Sequence, residues 1–244
     1  MSSTKDYLFQ VLADRADKWI RERLIDKDAD EESEEYQELE RNYFDLQEYL
    51  ANQAEFEAEL EWLRNTGSSI LHKSFIDQLS VLKNIVKSTG SDGKYIIYKM
   101  SYAYAVTLLE SYLGDTAKSL VSESDQYFKN AISNVDELKK AKYSLEFLAD
   151  SKIDAIGLAI KELSQILYHN IPKVKCVFEG ILATQLDIDI GHLNKITAIR
   201  HDIAHRNGQT TEGVPISITS EVVLEMIKEI ENFANVLQRQ INDA

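Results

Sequence analysis

The residues best suited to chemistry lie in one short run, AIRHDIAHRNG, residues 198–208. On a helix His201 and His205 stand one turn apart on the same face, with Arg200 directly beside the first. Two imidazoles and a guanidinium can accept a proton, return one and hold a phosphate, which is what RNA cleavage by internal 2′-hydroxyl attack requires. The same run also reads as a helix C-terminus whose cations suit its dipole. Spacing alone leaves both readings open. A metal reading is also available, because His201-Asp-Ile-Ala-His205 has the two-histidine spacing of a zincin helix, H-E-x-x-H. Asp202 is one methylene shorter than the glutamate that acts as base there, and no third ligand follows downstream, which argues against a zinc hydrolase.

The elements that must position these groups read as helices. Residues 95–113 are apolar almost all round, too long for a strand, and predict a central buried helix ending at Gly114. Glu110 interrupts that helix, and a carboxylate there needs a partner; Arg200 from a packed neighbour is one candidate, and exposure through a gap in the bundle is the other. Tyr95, Tyr98, Tyr102 and Tyr104 on the same helix are expected in the core or at an interface rather than as base-stacking platforms. Later helices are predicted over 124–150, 151–169, 172–186, 192–206 and 220–241, with Pro172 suiting a first turn, Asn207-Gly208 a helix stop, and residues 210–219 an extended insertion.

Upstream, Tyr7, Val11, Leu12, Trp19 and Ile20 suggest a short amphipathic helix, and residues 28–35 are too charged to pack. From Tyr36 the residues Leu39, Tyr43, Leu46 and Leu50 step by threes and fours, a coiled-coil-like stripe. Its phase slips at residues 51–55 and resumes at Phe56, Leu60 and Leu63, which fits one helix with a stutter or two helices meeting. Gly67 and the Gly90/Gly93 pair bracket a helix over 69–88, and STGSDG, residues 88–93, is the linker candidate. The expected organisation is an acidic helical extension over 1–89 and a helical bundle over 90–244.

Composition narrows the class. The 244 residues include only 2 prolines and 9 glycines, too few for a many-turned β-sandwich or a low-complexity chain. No stretch approaches a membrane span and the first residues lack an apolar signal core, so a cytoplasmic protein with no membrane partner is expected. Cys176 is the single cysteine and is expected as a small buried hydrophobe. The net charge of −14 is concentrated: residues 28–61 hold 14 acids and one base, Arg41, leaving the remainder near neutral. Binding of a polyanion by that remainder is therefore allowed. His72, His169 and His192 share no spacing and read as structural or solvated. No phosphate-binding glycine loop, nucleophile elbow or paired-cysteine site is present, and no cofactor is expected.

Arg200-x4-His205, followed by Arg206-Asn207-Gly208 and preceded by the apolar run IIYKMSYAYAVTLLESYLGD, resembles the HEPN superfamily (higher eukaryotes and prokaryotes nucleotide-binding), whose signature is R-x4-6-H, often with a polar residue after the arginine. The resemblance covers about residues 90–240. It implies an all-α bundle and a metal-independent endoribonuclease acting in defence or toxin–antitoxin systems, with motifs paired across a homodimer and a possible antitoxin or other partner protein. Carried onto this sequence, His205 assists proton transfer, Arg200 holds the phosphate, and His201 is auxiliary. Glu110 and Asn207 are further auxiliary candidates. A toxin subgroup carries a modifiable tyrosine two residues after the histidine; Asn207 stands there, so silencing by tyrosine modification is not implied. The competing expectations are a catalytically silent HEPN-type module that binds RNA, nucleotide or protein, and a helical adaptor whose acidic arm is the working part.

Overall fold

A computed structural model describes residues 4–91, 93–150 and 153–244. Ten α-helices and no strands occur among them: α1 Thr4–Arg23, α2 Glu34–Ser88, α3 Lys94–Glu123, α4 Asp125–Asn134, α5 Asp136–Lys140, α6 Leu145–Asp150, α7 Ala155–Ser164, α8 Ile171–Leu182, α9 Gly191–Arg206 and α10 Ser220–Asn242. The chain divides into two compact units, Met1–Glu61 and Trp62–Ala244. α2 is helical straight through residues 51–55, where the stripe slips, and breaks instead at Gly67, whose φ of 65° and ψ of 152° are non-helical.

In the first unit α1 and α2 form a hairpin closed near its turn. Ile20, Leu24 and Tyr36 are buried, with Trp19, Ala29 and Leu39 packed on them. The Tyr36 hydroxyl donates to Asp17 at 2.9 Å, and the Trp19 and Tyr43 rings meet at 5.4 Å. The segment between the helices is held by Glu35, whose carboxylate accepts from the Ile25 N–H at 2.5 Å.

The second unit is built round α3, which packs against α4, α7, α8, α9 and α10. Its buried run from Tyr102 to Val121 continues past the expected stop at Gly114. A glycine inside a helix costs about 1 kcal/mol, but a Cβ at Gly114 would lie 3.2 Å from the Tyr168 ring, so glycine lets that ring close on α3. From the other side Leu71, Phe75, Leu79, Leu82 and Val86 of α2 complete the core. α10 contributes Val223, Met226, Ile227, Ile230, Phe233, Ala234, Leu237 and Ile241 at the three-four spacing of one buried face.

Further sequence expectations meet the structure here. The helix expected over 124–150 is three pieces, broken at Val135, whose extended backbone turns its side chain into the core, and again over residues 141–144. Residues 151 and 152 of the next expected helix lie outside the described residues, as does Asp92 of the linker, and α7 begins after an Asp154 cap that accepts from the Gly157 N–H at 2.7 Å. Cys176 is exposed, because α8 buries Val174, Val177, Phe178 and Ile181 and residue 176 falls outside that phase. Residues 210–219 form no strand, only an isolated bridge between Gln209 and Pro215. No described helix is long and apolar enough to cross a membrane.

Candidate active site

α9 is anchored on its inner face by Leu193 and Ile196, both buried, with Ile199 and Ile203 packed against the same core. That phase decides where the chemistry-bearing residues go. Arg200 lies at the margin and turns towards α3, while His201 and His205 fall on the exposed side. Their rings stand 4.5 Å apart, centroid to centroid. Asp202 is engaged by Arg206 one turn on.

The Arg200 guanidinium Nη2 approaches Glu110 Oε1 of α3 to 3.7 Å. Of the two alternatives for Glu110, the structure has the one in which it faces Arg200. Glu110 Oε1 is buried and accepts no hydrogen bond from a described residue, so its contact with the guanidinium is ionic rather than a formed hydrogen bond. His169, between α7 and α8, brings Nδ1 to 4.0 Å from the same oxygen. One buried carboxylate oxygen is thus shared by a guanidinium and an imidazole from two different elements.

The end of α9 is fixed from α3 as well. Asn207 takes the left-handed conformation, φ 54°, which asparagine tolerates better than most residues. Lys99 Nζ donates to the Asn207 carbonyl at 2.5 Å and reaches its Oδ1 at 3.4 Å. Gly208 follows at φ 78°, and a Cβ there would lie 2.7 Å from Lys99 Cε. The backbone conformation calls for glycine there, and a larger residue would also displace the end of the Lys99 side chain that holds the turn. The ammonium also lies 4.3 Å from the Tyr95 ring centroid. One turn along α3, the Tyr102 hydroxyl is 3.5 Å from the Ile196 carbonyl, and burial pushes its ionisation well above the ordinary tyrosine range.

The structure brings Arg200 and Glu110 together, places His201 beside His205, and gives Asn207 to the turn. Of the four tyrosines, Tyr102 is buried and Tyr98 packs against the core, whereas Tyr95 and Tyr104 are about half exposed, at 49% and 51%. His72 and His192 face Asn235 and Glu229, at 3.0 and 3.5 Å. Sequence reasoning missed Lys99 and His169. Lys99 carried the same signal as Glu110, a charge in an apolar helix; His169 carried none, since only the fold brings it to Glu110. Among the described residues no three His, Cys, Asp or Glu side chains converge on a point that could hold a metal ion.

The RiboL-PSP-HEPN family model matches residues 72–243. That span holds α3 to α10 and residues 72–88 of α2, hence every group described at the site. No curated protein and no solved structure matches the chain.

Proposed function

Because the chain belongs to the RiboL-PSP-HEPN family, a member of the HEPN superfamily, we propose that it is a metal-independent endoribonuclease, working as a defence or toxin effector and restrained by a partner protein. The observation that carries the reading is the arrangement on α9: Arg200 set against the Glu110 carboxylate at 3.7 Å, and two solvent-facing imidazoles 4.5 Å apart on the same helix.

In this mechanism the 2′-oxygen of the substrate attacks the adjacent phosphorus and the bond from phosphorus to the 5′-oxygen breaks. His205 takes the 2′-hydroxyl proton. The departing 5′-oxygen takes a proton from an imidazolium of the His201–His205 pair, leaving a 2′,3′-cyclic phosphate and a 5′-hydroxyl. An imidazole suits both transfers because it changes charge near neutral pH. Arg200 keeps its charge and stabilises the dianionic transition state, and Glu110 orients it. The neighbouring 2′-hydroxyl is a nucleophile already in place, which removes the need to position a water. A two-fold dimer would set a second copy of the motif in the same cleft and supply further donors to one phosphate.

The test is an RNA oligonucleotide series with EDTA present and a single 2′-deoxy substitution at the cut site. Cleavage should persist in EDTA, stop at the deoxy position and disappear in His205→Ala. Cleavage that requires magnesium or survives the deoxy substitution would overturn the mechanism. RNA binding without cleavage in the wild type would favour a silent HEPN-type module.

A further inference from the structure

Arg200 has an imidazole beside its carboxylate partner, and it is not one of those on α9. By helical phase His201 and His205 stand about 100° and 140° round α9 from Arg200, on the exposed side. His169, from the α7–α8 turn, comes to the guanidinium's own partner. Its Nδ1 lies 4.0 Å from the Glu110 Oε1 that Arg200 Nη2 meets at 3.7 Å. Both groups keep a route outwards, since 46% of the His169 side chain and 27% of the Arg200 side chain are exposed.

The turn that carries His169 is pinned on both sides. Tyr168 is buried, its hydroxyl donates to the Leu163 carbonyl at 3.1 Å, and its ring fills the space over Gly114. Ile171 is buried in turn, and the Asn170 side chain caps α8 by accepting from the Lys173 N–H at 3.3 Å. The fold therefore fixes where the imidazole stands.

Charge decides what such a pair would hold. The two acids whose charges reach Tyr168, Asp115 and Glu137, are matched by Lys118 and Lys173 at 3.0 and 2.7 Å. Glu110 stands between Arg200 and His169, and its buried Oε1 accepts no hydrogen bond from a described residue. Protonated on both nitrogens, His169 can turn Nδ1 to Glu110 and Nε2 outwards. One carboxylate between a guanidinium and an imidazolium leaves a single positive charge, the complement of one phosphodiester.

We propose that Arg200 and His169 form a clamp for one phosphate, with Glu110 bracing both, in which His169 Nε2 donates to an oxygen of the RNA phosphodiester that Arg200 holds; this rests on Arg200 being the phosphate anchor of the nuclease reading. His169 is then a substrate-binding residue supplied from outside the R-x4-H motif.

The probe is a fluorescent oligonucleotide with 2′-O-methyl sugars, which keeps the phosphodiesters and removes the attacking hydroxyl, so binding is read without cleavage. Anisotropy at about pH 6, where an ordinary imidazole is mostly charged, compares the wild type with His169→Ala. Affinity should fall about ten-fold, as loss of a charge-assisted hydrogen bond requires. The side chain replaced is half exposed, so the melting temperature should match that of the wild type. Contact is read separately by NMR of the histidine Cε1–H signals: the one missing from the His169→Ala spectrum should move when the oligonucleotide is added to the wild type. A purely structural role would leave that signal still. Cleavage of the matching RNA by both proteins is scored in parallel. Equal affinity of the two proteins, an unmoved His169 signal, or no binding by the wild type would overturn the clamp, and RNA cut by the wild type would leave the nuclease reading standing without it. Binding that depends on His169 with no cleavage would uphold the clamp and sink the nuclease instead.

Discussion

Arg200 and His205 are separated by their phases on α9, and that separation makes distinct predictions for each. His205→Ala removes a proton-transfer group from an exposed face and should lower cleavage by roughly 10²–10⁴-fold while leaving the melting temperature unchanged. Glu110→Gln leaves Arg200 in place but removes the charge that orients it; misplacement of this kind costs on the order of 10²-fold, and single-turnover rates on the oligonucleotide series would read both losses. Lys99 tests positioning rather than chemistry. Lys99→Met deletes a buried, charge-assisted bond to the Asn207 carbonyl, so stability should fall by about 1.5–3 kcal/mol in denaturant unfolding. An activity loss without that destabilisation would mean that Lys99 does not hold the turn.

Helices α4 and α8 pack against each other. Asn130 and Asn134 donate to the carbonyls of Ile181 and Gly180 at 3.0 and 3.3 Å, which draws the helices together over Gly180. A Cβ there would meet Val135 Cγ2 at 2.9 Å and backbone atoms of residues 134 and 135 at 3.3 Å. Overpacking should outweigh the gain in helix propensity, and Gly180→Ala should destabilise by about 1–3 kcal/mol. Gly90→Ala, with nothing within 4 Å of the new carbon, should be neutral to stabilising, and paired urea titrations would compare the two. In the α1–α2 hairpin, burial first and the bond to Asp17 second push the Tyr36 phenol up to about 12. A raised folded value means that its contribution is fully present below the ordinary tyrosine value of 10 and is lost as pH rises from there to about 12. The Arg21 hydrogen bond, foremost, holds the Asp17 carboxyl below 3.8, so that contribution is present above this value and disappears as pH falls through the lowered one. Tyrosinate absorbance of the wild type against Tyr36→Phe should show one late-titrating phenol missing from the variant.

For the molecule as a whole, the family match and the acid content of the chain fall in different places. The matched span begins at residue 72 and the acidic segment ends at 61. RNA binding is therefore expected to come from the nearly neutral remainder and to weaken as salt rises, through the few cations at the α9 face. Pairing of two motifs in one cleft predicts a homodimer, and sedimentation equilibrium at tens of micromolar should give twice the 27.9 kDa of the chain. A monomer under those conditions would leave each site with one motif and count against the paired mechanism.

The helical class, the R-x4-H string and the distribution of charge are legible in the order of residues alone, because each is local. Three-four periodicity locates a helix face, R-x4-H spans only six consecutive residues, and charge is a count. Helix ends were less legible. Gly114 reads as a stop, yet α3 passes through it because Tyr168, from a distant part of the chain, packs where a side chain would be; Val135 reads as helix interior, yet it breaks the helix to enter the core. Cys176 was misplaced for a similar reason, since which face of α8 is buried depends on the neighbours it meets. The site shows the same boundary. Arg200, His201 and His205 are visible as a string, but the meeting of Glu110 with Arg200 and His169, and of Lys99 with Asn207, joins residues tens of positions apart. Only the packing of α3 against α9 and α8 decides it, because burial of charge is acceptable just where the tertiary structure supplies the opposite charge or a carbonyl oxygen.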